Sequence, residues 1–154
     1  MDGAMEIETI ALMRHPVSEP EATFDQLTIS MGLCESDTLS ATYDDNYIPG
    51  TKTEVFNAAS HTVSAPTGDQ WFYVTLDTPY WYNGEDNLII EFEWPSGSGS
   101  LYVYHWPTGG NRAVNGGYGS GSGYPEVNIP YMLLSGGLDF DQASFGSIKS
   151  IPAR

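Results

Sequence analysis

Between Trp71 and Trp94 the chain reads WFYVTLDTPYWYNGEDNLIIEFEW, two apolar runs of period two around a turn-rich connector. Phe72, Val74 and Leu76 alternate with Trp71, Tyr73 and Thr75; Leu88, Ile90, Phe92 and Trp94 alternate with Ile89, Glu91 and Glu93. Side chains at this period point to opposite faces of a pleated strand, and β-branched and aromatic residues suit such a surface. Both runs are therefore predicted to be strands, and their apolar weight makes them the central ones. In the connector, Pro79 cannot donate to a ladder and Asn83-Gly84 tolerates positive φ, which leaves Tyr80, Trp81 and Tyr82 in a loop beside Asp86.

The flanking sequence follows the same grammar. Residues 4–13 form a first strand whose apolar phase slips between Ile7 and Ile10, as a bulge would make it. Phe24, Leu27, Ile29, Met31 and Leu33 lead into an alternating strand, residues 35–52 form a long polar loop with room for one helical turn, and short strands follow at 53–57 and 61–65. Pro95 to Gly99 makes a reversal, after which residues 101–106 return as a hairpin partner. The glycine-rich stretch 107–128 holds at most one short strand, near Arg112 to Val114, in mobile loop. Residues 129–134 close the fold, with short extended pieces at 138–140 and 145–151. No segment carries a sustained helical stripe, so the expected architecture is all-β, an antiparallel two-sheet β-sandwich of jelly-roll type. Its core is predicted to hold Leu27, Ile29, Met31, Phe72, Val74, Leu76, Leu88, Ile90 and Phe92.

Charge narrows the partners. Five lysines and arginines stand against 20 acids, for a net charge of −15. A phosphate backbone is repelled, so nucleic acid is not an expected partner, and neither is an anionic membrane surface. No apolar run approaches the roughly 20 residues that span a bilayer, so no membrane insertion is expected. At 154 residues the chain is long enough for one well-buried domain without staples, and its single cysteine, Cys34, is expected as a small buried thiol. Residues 1–6 show no basic and apolar signal segment, consistent with a protein kept inside, a mature form or an excised module.

Few residues carry a chemical signature. Glu91 and Glu93 share one strand face about 7 Å apart, a spacing that paired carboxylates use in glycoside hydrolysis, but no third acid follows, and both are expected on the solvent face. The histidines His15, His61 and His105 lack metal-ligand spacing, and no nucleophile or phosphate-binding motif occurs, so neither catalytic nor metal residues are expected. Asp44-Asp45, Asp69, Asp77, Asp86, Asp139 and Asp141 could serve a structural calcium, though none matches a dedicated calcium loop and turn geometry accounts for them; no cofactor is expected. Aromatics stand out more. Tyr102, Tyr104 and Trp106 fall at i, i+2 and i+4, and Tyr80-Trp81-Tyr82 occupies the connector. These six residues are the candidate ligand-binding set, for stacking on sugars or anchoring a protein.

The run TLDTPYWYNGEDNLIIEFEW, with FDQLTISMG, ATYDDNY, EVFNA and GNRAV, resembles a recurrent jelly-roll module of large secreted bacterial surface proteins. The likeness covers about residues 5–135 and is specific from Trp71 to Trp94. It implies an extracellular or cell-surface location and a structural or adhesive role, without an enzymatic one. On this reading residues 1–138 are the sandwich and 139–154 an extended tail for sorting or assembly. The chain is expected to form a homo-oligomer or polymer through its terminal strands, Met5 to Met13 and Phe145 to Ile151. Glycan binding through the aromatics is the alternative role.

Overall fold

The computed structural model describes residues 3–64, 67 and 69–137. Eleven strands run through them: β1 (Met5–Met13), β2 (Glu21–Cys34), β3 (Thr53–Ser64), β4 (Trp71–Tyr82), β5 (Asn87–Glu93), β6 (Ser96–Ser98), β7 (His105–Pro107), β8 (Ala113–Asn115), β9 (Tyr124–Glu126), β10 (Asn128–Pro130) and β11 (Met132–Ser135). One antiparallel sheet has the order β11-β1-β4; a second has the order β3-β2-β5, with β6 pairing farther along β2. Two small ladders, β7 with β10 and β8 with β9, complete the described strands. The chain is all-β, and its two main sheets pack as a sandwich.

Alternation explains the core. Ile7, Ile10, Val74, Leu76, Tyr80 and Tyr82 from the first sheet meet Leu27, Ile29, Met31, Val55 and Phe56 from the second, while Leu88, Ile90 and Phe92 pack against them half-buried. Burial of this apolar surface is the main favourable contribution to folding, of order 25 cal/mol per Å². A smaller cluster, Val63 and Phe72 with Leu12, Phe24, Leu101 and Val103, fills one end. Cys34 is buried, its thiol directed at the Ser36 carbonyl.

The central strands are β1 and β2, not β4 and β5, which occupy sheet edges on opposite layers. Periodicity reports which face is buried; it does not report how many hydrogen-bonded neighbours a strand has. The slip in β1 is real: its register with β4 shifts between Ile7, opposite Tyr80, and Thr9, opposite Thr75. Residues 76–79 of β4 thus bulge out opposite Glu8 alone. Pro79 sits in that bulge, on an edge strand where no ladder donor is required, so β4 continues through Tyr82 instead of ending in a loop. The true turn is at Asn83-Gly84, where Gly84 has φ +78°.

Other expectations change for similar reasons. The two short strands at 53–57 and 61–65 are one, β3, because Ala58 and Ser60 are held in register by Leu27 and Asp25 of β2. Residues 96–98 do not reverse the chain; they pair with Thr23, Phe24 and Asp25, extending the edge begun by β5. A Cβ on Gly97 would lie 2.3 Å from the Thr23 carbonyl oxygen, so only glycine permits this approach. The 101–106 segment does not return as a hairpin partner: it bridges Arg14 through Val103, and only His105–Pro107 forms a strand, with β10. The glycine-rich stretch holds a second short strand, β9, and is tied down by Gly123 N–H to the Ala41 carbonyl and Tyr43 N–H to the Gly121 carbonyl. The polar loop carries one 3-10 turn, Asp44–Asn46, as anticipated. The tail, 139–154, lies outside the described residues.

Candidate functional site

The six candidate aromatics separate into three groups. Tyr80 and Tyr82 are core residues, 7% and 6% exposed, and the Tyr82 hydroxyl donates to the Asp86 carbonyl at 2.8 Å. They cannot meet a ligand. Being in register with Ile7 and Met5 of β1 turns both rings inward, which a loop would not have done. Trp81, between them, is exposed and faces Glu6 across the ladder. Tyr102 is exposed as well, its backbone N–H fastened to Ser18 Oγ at 2.6 Å. Neither Trp81 nor Tyr102 has a ring neighbour among the described residues.

Tyr104 and Trp106 are brought together, through a residue the sequence analysis did not single out. Tyr131 lies between them: its ring centroid is 6.3 Å from Tyr104 and 5.3 Å from Trp106, at interplanar angles of 79° and 46°. The Tyr131 N–H donates to the Tyr104 carbonyl at 2.8 Å, and Ile129 pairs with Trp106, so the arrangement is fixed by backbone. His15 extends the row, 4.8 Å from Tyr104. Asp69 closes its side: its carboxylate accepts a short hydrogen bond from the Tyr104 hydroxyl, which holds that phenol above its ordinary value.

Arg14 assembles this end of the molecule. Its backbone N–H donates to the Gln70 carbonyl at 2.9 Å and its own carbonyl accepts from Asp69 N–H at 3.1 Å, placing Asp69 beside Tyr104. Its guanidinium, 4% exposed, donates to the carbonyls of Ser18 and Glu19, and Ser18 in turn holds Tyr102. A buried charge is tolerated because carbonyl dipoles satisfy it.

The row continues onto the outer face of the β11-β1-β4 sheet. Trp71 pairs with Met13, whose N–H reaches the Tyr131 carbonyl at 3.4 Å; Tyr73, Ala11 and Leu133 form the next cross-strand row, and Thr75, Thr9 and Ser135 the third. None of these side chains is charged. Tyr73 and Leu133 are 59% and 46% exposed. The signal for Tyr131 was available in the sequence: Tyr131 and Leu133 alternate with Met132 and Leu134, and Trp71 and Tyr73 with Phe72 and Val74, so both faces of these strands run apolar. A strand with only one face in a core has no packing need for that.

Elsewhere several charged groups are committed to partners. Glu91, on the outer face of β5, is covered rather than free: Tyr47 Oη donates to it at 2.9 Å and Lys52 Nζ lies 3.0 Å away. Its partner in the paired-carboxylate expectation, Glu93, is exposed. Burial, then Glu91, pushes the Tyr47 phenol far above its ordinary range. Lys52 also pairs with Asp44, and Arg112 with Asp37 at 3.6 Å. Asp77 accepts from Asn57 N–H at 2.9 Å and Asp86 from the Asn83 amide at 2.7 Å. Among the described residues no three histidine, cysteine or acidic side chains gather as a metal site. Asp139 and Asp141 lie outside those residues. No described helix is long and apolar enough to cross a membrane. Comparison with protein-family models, with curated proteins and with solved structures finds no match to this chain.

Proposed function

We propose that this chain is a non-enzymatic structural or adhesive unit of an extracellular surface assembly, and that it meets a second copy of itself through the outer face of the β11-β1-β4 sheet. The supporting observation is the contrast between that face and the remainder. The chain carries a net charge of −15, yet the rows Trp71-Met13-Tyr131, Tyr73-Ala11-Leu133 and Thr75-Thr9-Ser135 hold no charge. Contiguous exposed apolar surface marks an interaction site, and Trp, Tyr and Met are the residues enriched in interface centres. Two copies meeting there bring no carboxylate against another.

Such a contact is self-complementary and closes on a dimer; a polymer needs a second contact. β1 cannot donate itself as a terminal strand, because β4 and β11 pair with both of its edges. The outer edge of β11 is the place where an extended segment of a neighbour adds to this sheet. The other donor expected from the sequence, 145–151, lies outside the described residues.

Sedimentation velocity across concentration and salt tests the reading. Association should strengthen as salt screens the net charge over a Debye length of about 8 Å at physiological ionic strength. Leu133→Glu should leave monomers with an unchanged β-type far-UV spectrum. A wild-type chain that stays monomeric at high concentration and high salt refutes self-assembly.

A further inference from the structure

We infer that Tyr104, Tyr131 and Trp106, flanked by His15 and Asp69, form a binding site for a neutral oligosaccharide that adjoins the self-contact proposed above and shares Tyr131 with it. Five observations converge on that ligand class. Trp106 and Tyr131 are exposed, 51% and 40%, with Tyr104 half-buried beside them, and successive centroids lie 6.3 and 5.3 Å apart, close to the advance of a sugar chain per residue. Their planes are inclined to one another by 79° and 46°, which suits a chain that turns as it advances. Aromatic faces attract the C–H-bearing faces of sugars as they attract other apolar surface, while hydroxyls at the sugar rim require hydrogen-bonding partners nearby. Asp69 supplies these: its carboxylate accepts from Tyr104 and has lone pairs left for sugar hydroxyls. His15 accepts the Val17 N–H at its Nδ1, 3.3 Å away, leaving Nε2 for a ligand.

Charge selects among glycans. Arg14 is buried, and Lys52 and Arg112 are each paired with carboxylates, so no described cation is available to a sulfated or uronic-acid chain. Asp69 at the side of the row repels one directly. The site is pre-formed by backbone hydrogen bonds between Tyr131 and Tyr104 and by the Arg14 carbonyl holding Asp69, so little ordering opposes binding.

Titration of the full chain with neutral hexasaccharides of glucose, mannose, xylose and N-acetylglucosamine, followed by calorimetry and tryptophan fluorescence, tests the site. At least one should bind, and Trp106→Ala and Tyr131→Ala should each weaken that binding tenfold or more, whereas Trp81→Ala and Tyr102→Ala, outside the row, should change it less than twofold. An oligogalacturonate should not bind. Circular dichroism establishes that each variant is folded. No binding by any neutral hexasaccharide, or binding indifferent to Trp106 and Tyr131, overturns the inference. Repeating the titration on Leu133→Glu separates the proposals, because a glycan site survives loss of self-association and self-association survives a blank titration.

Discussion

The Tyr47 hydroxyl donates to Glu91 at 2.9 Å across 44 residues of sequence, and its ring lies on the strand surface at Gly32. Lys52 completes the group, its ammonium 4.9 Å from the Tyr47 ring centre and 3.0 Å from Glu91. The polar loop between β2 and β3 is thereby held over the outer face of the second sheet. A Cβ on Gly32 would stand 2.4 Å from Tyr47 Cδ1, so the ring and the glycine require each other. Gly32→Ala is expected to cost about 1–3 kcal/mol by overpacking, and Tyr47→Phe about 0.5–1.5 kcal/mol for the lost hydrogen bond. Urea denaturation measures both. Because the sites touch, Gly32→Ala should cost less in a Tyr47→Ala background, and strict additivity would mean the ring does not rest on the glycine.

The same cluster sets an alkaline limit. Burial and then Glu91 raise the Tyr47 phenol, and although burial alone pulls Lys52 down, Glu91 and Asp44 carry it above its ordinary value. In the unfolded chain the two ionise near pH 10. Above that the unfolded state holds fewer protons than the folded one, so stability is full below about pH 10 and declines as pH rises further. Urea midpoints should hold from pH 8 to about pH 10 and fall above it, and those of Tyr47→Phe should fall less steeply; parallel profiles would remove Tyr47 as the cause.

His61 sets a limit on the acid side. It packs edge-on against Phe56 at 5.1 Å, and burial lowers its pKa. A histidine whose folded pKa is depressed binds its proton more readily when unfolded, so stability is present above about pH 6.5 and lost as pH falls through the folded value. Replacing it by Gln should flatten the slope of stability between pH 7 and 5. An unchanged slope would assign that acid sensitivity to the carboxylates.

Sequence legibility followed what is local. Alternation identified the buried face of β2 and of the first half of β4: Ile29 and Met31 are fully buried, and Phe72, Val74 and Leu76 nearly so. On that basis Ile29→Ala should cost about 2–5 kcal/mol and Glu93→Ala at most about 0.5 kcal/mol, read from thermal or urea unfolding. Pairing partners were not legible, because one sequence does not say that β2 will hold β3 on one edge and β5 with β6 on the other. Hence β4 and β5 were misplaced at the centre. Tyr80 and Tyr82 were misread because a proline stops a strand only where its neighbour needs a donor, and the bulge opposite Glu8 removes that need. Of the site, Tyr104 and Trp106 were visible as an alternating pair. Tyr131 was marked only as an outward apolar position, and the places of Tyr131 and Asp69 in the row were not legible, since their adjacency depends on β10 returning beside β7 and on Arg14 holding the turn before β4.

Arg14 is where stability and the aromatic row are most closely coupled. Its guanidinium is buried and, among the described residues, meets no carboxylate and donates to the Ser18 and Glu19 carbonyls, so the loop 15–19 is closed around a charge. Ser18 passes that order to Tyr102 through two hydrogen bonds, and His15 N–H donates to the Tyr102 carbonyl at 2.9 Å. Arg14→Lys keeps the charge but presents it as a single compact ammonium in place of a planar fork, so it cannot reproduce both contacts. Arg14→Met keeps much of the packing but leaves two carbonyls without a donor, at a cost of about 1–3 kcal/mol each where they stay buried. Both variants should release the loop before the sandwich. Hydrogen exchange should quicken at Ser18, Tyr102 and Tyr104 while Ile29 and Met31 keep their protection, and Trp106 fluorescence should shift as the aromatic row loosens. Uniform exchange across core and loop in Arg14→Lys would show instead that Arg14 supports the whole sandwich, not this end of it.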